Sequence, residues 1–413
     1  MTRQDDKGMM NRSGFLLGAL SGLAVVARTD TLFSQALAQT PLPGLPGGND
    51  RVLLVINFQG GNDGLNTVVP FGMPDYYRYR PSLGIPQNDV LRIDDTFGLN
   101  PALAPFKKLY DGGNVAIVHG VGYPEPDHSH FRSTEIWQTA QPKGYETTGW
   151  LGRYLDDAAL PKQNLFNAVA ISNVLPELLI SRTTDVPAID ALNGYGLRGD
   201  KATGEQFHEF VRDTTVPFRS PFLAQVAEIE DHAQRGSREL PKLVAGYQRQ
   251  ATYPATPLGR SLSLAAQIVG SKLGTRVLYV QHGSFDTHVT QKQTQNRLLS
   301  DFADSIAAFY QDLSAHGNDK RVLTMTFSEF GRRVPENASR GTDHGEAAPV
   351  FLIGGGVKGG LYGTHPDLNR LNAGNLAYTT DFRSVYTTVL ERWLGRPAAP
   401  VVGAGFTPLP ALA

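Results

Sequence analysis

Long apolar strand patterns alternating with helix patterns constrain this chain most strongly. The segment RVLLVINF at 51–58 is apolar almost throughout, and similar runs recur at 114–120, 167–172, 275–283, 321–327 and 349–356. Amphipathic helix patterns separate these runs, the clearest being PALAPFKKLYD, SLSLAAQIVGSKL, QNRLLSDFADSIAAFYQDLSAHG and DFRSVYTTVLERWLG. Strands that are apolar on both faces must be covered on both faces. We therefore predict an α/β fold, a doubly wound and mainly parallel sheet sandwiched by helices.

The N-terminus has the three parts of an export signal. Basic residues precede an apolar run at 15–27, which is too short to span a bilayer, and ALAQ at 36–39 is a small-x-small cleavage site. Arg12-Ser-Gly-Phe-Leu is similar to a twin-arginine signal with Ser13 in place of the second arginine. We predict an export signal at 1–38 and a bacterial protein that is periplasmic or extracellular, with no integral membrane domain once the signal is removed.

The remaining chain reads as one large domain. A Pro/Gly-rich linker at 39–50 leads into a domain at 51–413. Residues 173–256 are more polar and helical, which indicates an insertion or cap. A formal net charge of −1 gives no reason to expect a nucleic-acid partner. The chain has no cysteine, which excludes disulfides, thiolate metal sites and a cysteine nucleophile.

Titratable residues cluster directly after four of the predicted strands. In a parallel sheet, ligands bind at the carboxyl ends of the strands, so these loops would meet at one edge. Asn62 and Asp63 follow the first strand. Six of the ten histidines lie in the four loops, namely His119, His128, His130, His282, His288 and His344. This clustering predicts a metal-binding or catalytic site.

The sharpest short motif is SFDTHVTQ at 284–291. Asp286 and His288 are two apart on an extended loop, so both can reach one cation. A carboxylate with an imidazole suits zinc, manganese or iron better than calcium. Asp63, in the glycine-rich turn GGNDG, is either a further ligand or an ordinary turn residue.

Two other stretches supply candidate catalytic groups. DHSHFRSTEIW at 127–137 offers Ser129 or Ser133 as a nucleophile and Arg132 as an anion contact, or else forms only an N-capping turn. TFSEFGRRVPENASRGTDHG at 326–345 supplies Glu329 and His344 as metal ligands. Arg332 there can clamp an anionic substrate or lie in a solvated surface pair.

At these motifs the chain resembles the exported, twin-arginine-type bacterial family catalogued as domain of unknown function fifteen-oh-one. The likeness lies in the leader, QGGNDGLN, HSHFRSTEIWQT, DTHVTQ, SEFGRR and GTDHG. That family is placed in the alkaline phosphatase and sulfatase superfamily, so the resemblance implies an alkaline phosphatase-like fold with metals at the strand ends.

The resemblance also implies roles for individual positions. It places Asp63 as the first metal-binding aspartate, the loop from Ser129 to Ser133 as the place of the nucleophile, and Asp286 with His288 as the pair of one metal. Glu329 falls where an Asp-His pair is expected, and His344 matches the last metal histidine. Phe330 stands in place of the histidine of that Asp-His pair, which favours one metal or a weaker second site. Together the residues and the resemblance predict one or two divalent ions, with zinc or manganese favoured and calcium possible.

The first functional hypothesis is a metal-dependent hydrolase of phosphate or sulfate esters, acting on an anionic small-molecule or polysaccharide ester. A second is an exported, non-catalytic binding or assembly protein with a degraded metal site, to which Phe330 points. A third is a metal-dependent lyase or transferase using the same cleft.

Overall fold

A computed structural model describes residues 50–158, 160–161, 164–190, 236 and 239–413. The strands in this part of the chain are β1 (Val52–Gln59), β2 (Val68–Val69), β3 (Leu91–Arg92), β4 (Gly98–Leu99), β5 (Val115–Gly122), β6 (Ala168–Ile171), β7 (Val277–Gly283), β8 (Val322–Phe327), β9 (Ala348–Gly354), β10 (Gly360–Tyr362), β11 (Leu371–Asn372), β12 (Asn375–Leu376) and β13 (Thr380–Asp381). The α-helices are α1 (Pro74–Tyr79), α2 (Ala104–Asp111), α3 (His130–Thr139), α4 (Trp150–Asp157), α5 (Pro257–Gly270), α6 (Gln291–Ala315), α7 (Phe382–Thr388) and α8 (Ala399–Val402).

The central sheet has the strand order β10-β5-β9-β8-β1-β7-β6, with β13 also paired to β5. β1 runs parallel to both of its neighbours, Val55 lying opposite Tyr279 of β7 and Met325 of β8. β9 is antiparallel to β5 and β8, so β5 runs in the same direction as β1, β7 and β8. The predicted mainly parallel sheet is confirmed. The carboxyl ends of the four strands whose loops carry the clustered residues therefore lie at the same edge.

Alternate side chains of β1 enter two separate cores, as the continuous apolar pattern requires. Leu53 and Val55 belong to a buried cluster that includes Trp137 of α3 and Tyr386 of α7. On the opposite face, Phe58 packs edge-on against Phe302 of α6 with ring centroids 4.8 Å apart. Helices thus cover both faces of the sheet, which confirms the sandwich.

The sheet and its helices lie in one compact unit that spans the described residues between 50 and 188 and between 247 and 413. Residues 189–190, 236 and 239–246 belong to a second unit. The predicted export signal at 1–38, the linker up to residue 49 and most of the predicted insertion at 173–256 lie outside the described residues. Within the described part of the chain, no helix combines the length and apolar character needed to cross a membrane.

A pair of histidines, the buried His119 and the partly buried His365, lies apart from the other clustered residues. His119 is 4% exposed and lies inside β5, and its ring packs against Phe97 and His365. His365 packs on the same aromatic ring. Burial lowers the pKa of each imidazole to about 4. Both rings are consequently neutral in the folded protein at neutral pH.

We expect this pair to make the fold sensitive to acid. Because the folded pKa of His119 lies below the unfolded value, its contribution to stability is complete above pH 6.5 and is lost as the pH falls towards 4. For His119 alone that loss is roughly 3 kcal/mol. His119→Gln should flatten the decline of the unfolding free energy between these pH values in urea titrations, whereas the exposed His128→Gln should not. Equally steep declines in both variants would contradict this account.

Candidate metal centre

Loops from three strand ends bring four side chains together at the carboxyl edge of the sheet. His130 is the first residue of α3, after β5, while Asp286 and His288 lie in the loop between β7 and α6. His344 lies between β8 and β9. One donor atom from each of His130, Asp286 and His344 falls within 4.8 Å of the others, a group able to hold a metal ion.

Each imidazole in this group has its Nδ1 against an oxygen acceptor. His130 Nδ1 lies 2.8 Å from Glu329 Oε1, and His344 Nδ1 lies 2.8 Å from the carbonyl oxygen of His128. His288 Nδ1 lies 3.3 Å from Asp343 Oδ1. An Nδ1–H that donates to such an acceptor leaves Nε2 with its lone pair. In most metal-binding histidines, the ring nitrogen that does not bind the metal donates to such an acceptor.

The three Nε2 atoms all face the carboxylate of Asp286. His288 Nε2 and His344 Nε2 lie 3.0 and 3.2 Å from Asp286 Oδ1, and His130 Nε2 lies 3.5 Å from Oδ2. Zinc–nitrogen bonds of 2.0–2.1 Å imply ligand separations of about 3.3 Å in a tetrahedral site. The three separations from Asp286 are close to that value, and a set of imidazoles and a carboxylate suits zinc better than calcium. The residues present therefore fit a divalent transition metal.

The charges around Asp286 keep it ionised. Burial alone would raise its pKa, but the hydrogen bond from Arg332 and the charge of that guanidinium lower the pKa to about 2. The hydrogen bond to Glu329 raises the pKa of His130, whereas burial lowers the pKa of His344. The centre thus offers a permanent carboxylate and imidazoles held in fixed tautomers.

The carboxylate of Glu329 contacts the imidazole of His130. It also accepts a hydrogen bond from the amide of Gly60 at 2.8 Å. The sequence predicted this residue as a direct ligand, and that role stays a prediction; its contact with His130 suits a residue that orients a ligand. Glu329→Gln keeps an acceptor and removes the charge, so we expect metal affinity to fall by about tenfold, at the low end of such effects. Competition titrations with a chromophoric chelator would measure the change. Glu125→Gln, an exposed substitution, serves as the control, and an unchanged affinity in Glu329→Gln would contradict the assignment.

Arg332 lies beneath the cluster and cannot contact a substrate, because its side chain is completely buried. The guanidinium donates to Asp286 Oδ1 at 2.7 Å and to the carbonyl oxygens of Thr342 and Gly61 at 2.7 Å each. It also donates to the carbonyl oxygens of Gly60 and Phe285. Both sequence-based alternatives, an anion clamp and a solvated pair, are corrected by this burial.

Asp63 is buried among polar groups of its own. Its Oδ2 pairs with Arg80 Nη1 at 2.5 Å and accepts a hydrogen bond from Gln291, and its side chain is 1% exposed. Gly60 and Gly61 in the same turn have φ values of +110° and +80°. A Cβ at Gly60 would lie 2.5 Å from the amide nitrogen of Asp286. The GGNDG motif is therefore explained by close backbone approach and by this ion pair, and a direct metal role for Asp63 remains a proposal.

The predicted catalytic groups of the 127–137 stretch have different environments. Ser133 is fully buried, donates to the carbonyl oxygen of Asp127 at 2.5 Å and contacts the hydroxyl of Tyr123. Ser129 is the exposed N-cap residue of α3, but its side chain makes no capping hydrogen bond. Arg132 pairs with Glu135 at 2.8 Å and donates to the carbonyl oxygens of Pro142 and Gly144. Of these three, Ser129 alone has an exposed side chain.

Phe330 packs into the cluster where the resemblance led us to expect a histidine. The residue is 2% exposed, and its ring centroid lies 4.4 Å from that of His344 and 4.9 Å from that of His130. An aromatic ring in this place supports two of the imidazoles and offers no ligand atom. His282, also predicted within the cluster, is buried with Nε2 against the carbonyl oxygen of Leu298 at 2.9 Å.

A cleft of about 650 Å³ opens beside the metal candidates and includes His130, Asp286 and Glu329 in its lining. Two aliphatic hydroxyl residues that the sequence did not indicate, Thr134 and Ser284, also line it. Thr134 follows His130 by four residues on α3, so both lie on one face of the helix. The sequence noted His130 only as one of several imidazoles. Its spacing to Thr134 was the signal that could have selected it.

A family model described as "Protein of unknown function (DUF1501)" matches residues 116–392. The chain belongs to this family. The DUF1501 match contains His130, Asp286, His288 and His344. A comparison with curated proteins found no match.

Several solved structures are similar to this DUF1501 protein. A protein in the alkaline phosphatase superfamily from Vibrio parahaemolyticus shows 10% identity over 87% of this chain and 70% of its own, with a TM-score of 0.39. The lipoteichoic acid synthase LtaP from Listeria monocytogenes shows 10% identity over 90% and 80%, with a TM-score of 0.40. The periplasmic domain of EcEptC from Escherichia coli, in complex with Zn, shows 11% identity over 75% and 74%, with a TM-score of 0.36. Similarities this low carry no conclusion about activity, which depends on the side chains described above.

Proposed function

We propose that this protein is a metal-dependent hydrolase of phosphate or sulfate esters. The observation that carries the proposal is the convergence of three imidazole Nε2 atoms on the Asp286 carboxylate beside an open cleft. The side chains of Asp286 and His288 are 43% and 40% exposed, so the centre is accessible to a substrate. Zinc or manganese suits these donors best.

His130, Asp286 and His344 would hold the ion, with His288 beside them. A divalent ion supplies Lewis acidity to an oxygen of the phosphoryl or sulfuryl group. Glu329 holds the ring of His130 in one orientation, and Arg332 holds the carboxylate of Asp286 in place and ionised. A centre whose ligands are held this firmly needs little rearrangement when the substrate binds.

The attacking group is water or a hydroxyl from the edge of the cleft. Thr134 and Ser284 line the cleft, and Ser129 is exposed one residue before His130. Ser133 is the weakest candidate because its hydroxyl is buried and already donates to a carbonyl group. Ser129→Ala, Thr134→Val and Ser284→Ala separate these possibilities. A nucleophile variant should lose nearly all turnover yet bind metal normally, and retention of turnover by all three would favour water.

Elemental analysis and a substrate screen test the proposal together. The purified protein should contain one equivalent of zinc or manganese and hydrolyse a member of a panel of phosphate and sulfate monoesters. Exhaustive chelation should abolish that activity, and the metal should restore it. Full activity after chelation would refute the mechanism. Product analysis in the presence of an added alcohol distinguishes hydrolysis from transfer to a second acceptor.

The second candidate is a non-catalytic exported binding or assembly protein. The ion pair between Asp63 and Arg80 and the apolar ring of Phe330 favour it, because both reduce the number of ligands available for a second metal. This protein would lack turnover on every ester whether or not metal is bound. Both candidates include export through the predicted leader, which mass analysis of the mature N-terminus in cell fractions would test.

A further inference from the structure

The floor of the cleft is made of uncharged polar side chains. Val55 of β1 and Tyr279 of β7 lie opposite each other and belong to the buried cluster on the α3 side of the sheet. Because side chains alternate along a strand, Asn57, Gln59 and Gln281 lie on that same side. Gln59, Tyr279 and Gln281 line the cleft. We call Asn57, Gln59, Tyr279 and Gln281 the amide floor.

The amide floor is continuous with the metal candidates. The carbonyl oxygen of Gln59 accepts a hydrogen bond at 2.8 Å from the amide of Phe285, in the loop that carries two of those candidates. The next amide along the chain, that of Gly60, donates to the carboxylate of Glu329 at 2.8 Å. The side chain of Gln59 lies against Gly283, where a Cβ would be 3.3 Å from Gln59 Oε1. Gln59 is therefore the part of the floor nearest to the metal centre.

Asn57 and Tyr279 form a buried pair whose hydrogen bonds are incomplete. Both residues are 2% exposed, and Asn57 Nδ2 donates to the hydroxyl oxygen of Tyr279 at 3.3 Å. Within the described part of the chain, Asn57 Oδ1 has no hydrogen-bond partner and no residue accepts the proton of the Tyr279 hydroxyl. Exchanging the two amide atoms would let Oδ1 accept that proton and leave Nδ2 without a partner instead. Because a buried polar atom without a partner is costly, the pair is suited to a further polar group from the cleft that Tyr279 lines.

We propose that the amide floor binds free hydroxyl groups of the substrate, which is then an ester of an uncharged polyol. This inference rests on the proposed function, since the esterified end must lie at the metal centre. A carboxamide offers both donors and an acceptor, and a hydroxyl group both donates and accepts, so the two are complementary in either direction. A charged group would lose its water to a surface that offers no opposite charge. A site that pairs with a substrate hydroxyl also discriminates against the analogue that lacks it, because its own polar groups are then left unpaired.

The amide floor extends away from the metal centre along β1. From Asn57 to Gly60 the chain rises about 10 Å, which a straight arm of about six carbon atoms spans. The probes are therefore hexylphosphonate and the same molecule with a hydroxyl group on each of its last two carbon atoms. Each is titrated calorimetrically into the zinc-loaded full chain, so that no turnover is needed. We expect the diol to bind at least about fivefold more tightly, which corresponds to one net hydrogen bond.

Two variants remove polar groups from the amide floor. Tyr279→Phe removes only the hydroxyl group and should abolish most of the preference for the diol. Gln281→Met replaces an exposed carboxamide by an apolar side chain of similar length, and it should also lower the preference. The readout is the ratio of the two affinities, because a loss of metal or of folded protein weakens both probes equally. Tyr362→Phe is the matched control, since its hydroxyl donates to the carbonyl oxygen of Lys358 outside the cleft lining, and it should keep the wild-type ratio.

The proposal is overturned by equal affinity of the two probes for the wild type or by no binding of the diol. An unchanged ratio in the folded Tyr279→Phe and Gln281→Met variants would overturn it as well. If the diol preference is found but no ester is hydrolysed, the assignment of the amide floor stands and the hydrolase function fails. If esters are hydrolysed without the preference, the reverse holds.

Discussion

Replacing Asp286 by asparagine should remove the metal and the activity together. Asp286 lies within 3.5 Å of Nε2 atoms of all three imidazoles, and it is the acid that Arg332 keeps ionised. Loss of a group that only orients a ligand lowers metal affinity by roughly ten- to a hundredfold. Loss of a charged ligand itself should cost at least about a hundredfold. Equilibrium dialysis against zinc and ester hydrolysis at saturating substrate would measure the two effects.

The asparagine is chosen because it preserves the fold around the cluster. Its carbonyl oxygen can still accept the hydrogen bond from Arg332, so the thermal unfolding midpoint of the metal-free variant should stay close to that of the wild type. Asp367→Asn, at a half-exposed acid paired with Arg370, is the matched control and should keep full metal content. Stoichiometric metal of unchanged affinity in Asp286→Asn would exclude this centre.

The architecture could be predicted because burial on two faces leaves a direct mark in the sequence. β1 is apolar at successive positions, and six of its eight residues are completely or almost completely buried apolar side chains. The direction of β9 could not be predicted, since a strand buried on both faces looks the same whether its neighbours are parallel or antiparallel. The common edge was still predicted correctly, because the strands that carry the loops do run in one direction.

Part of the candidate site followed from position in the sequence. Asp286, His288 and His344 were expected near one another because each follows or precedes a strand at the same edge, and their side chains do meet. The partners of Asp63, Arg332 and Glu329 could not be foreseen. Each depends on a contact across more than fifteen residues, such as Arg80 with Asp63, that no local pattern records. The local sequence does not distinguish a charged residue that faces the cleft from one that supports the floor of the cleft.

Arg332→Met should destabilise the protein strongly, because the guanidinium connects several loops below the metal centre. Its removal leaves Asp286 without its cation and takes a donor from the carbonyl groups of Gly61 and Thr342. Asp286 is 43% exposed, so water screens the loss of its cation, but each buried carbonyl group left without a donor costs about 1–3 kcal/mol. Urea unfolding at neutral pH with a chelator present would measure this loss independently of metal binding.

The adjacent Arg333 provides the control for this experiment. It is partly exposed and its guanidinium donates to the carbonyl oxygen of Ala373, so Arg333→Met should change the unfolding free energy by only about 0.5 kcal/mol. Arg332→Lys should fall between the wild type and the methionine variant, because an ammonium group cannot reproduce the planar set of donors. A variant Arg332→Met that unfolds like the wild type and loses only substrate affinity would instead support the anion-contact role that the sequence suggested. The complete burial of Arg332 makes the first outcome the expected one.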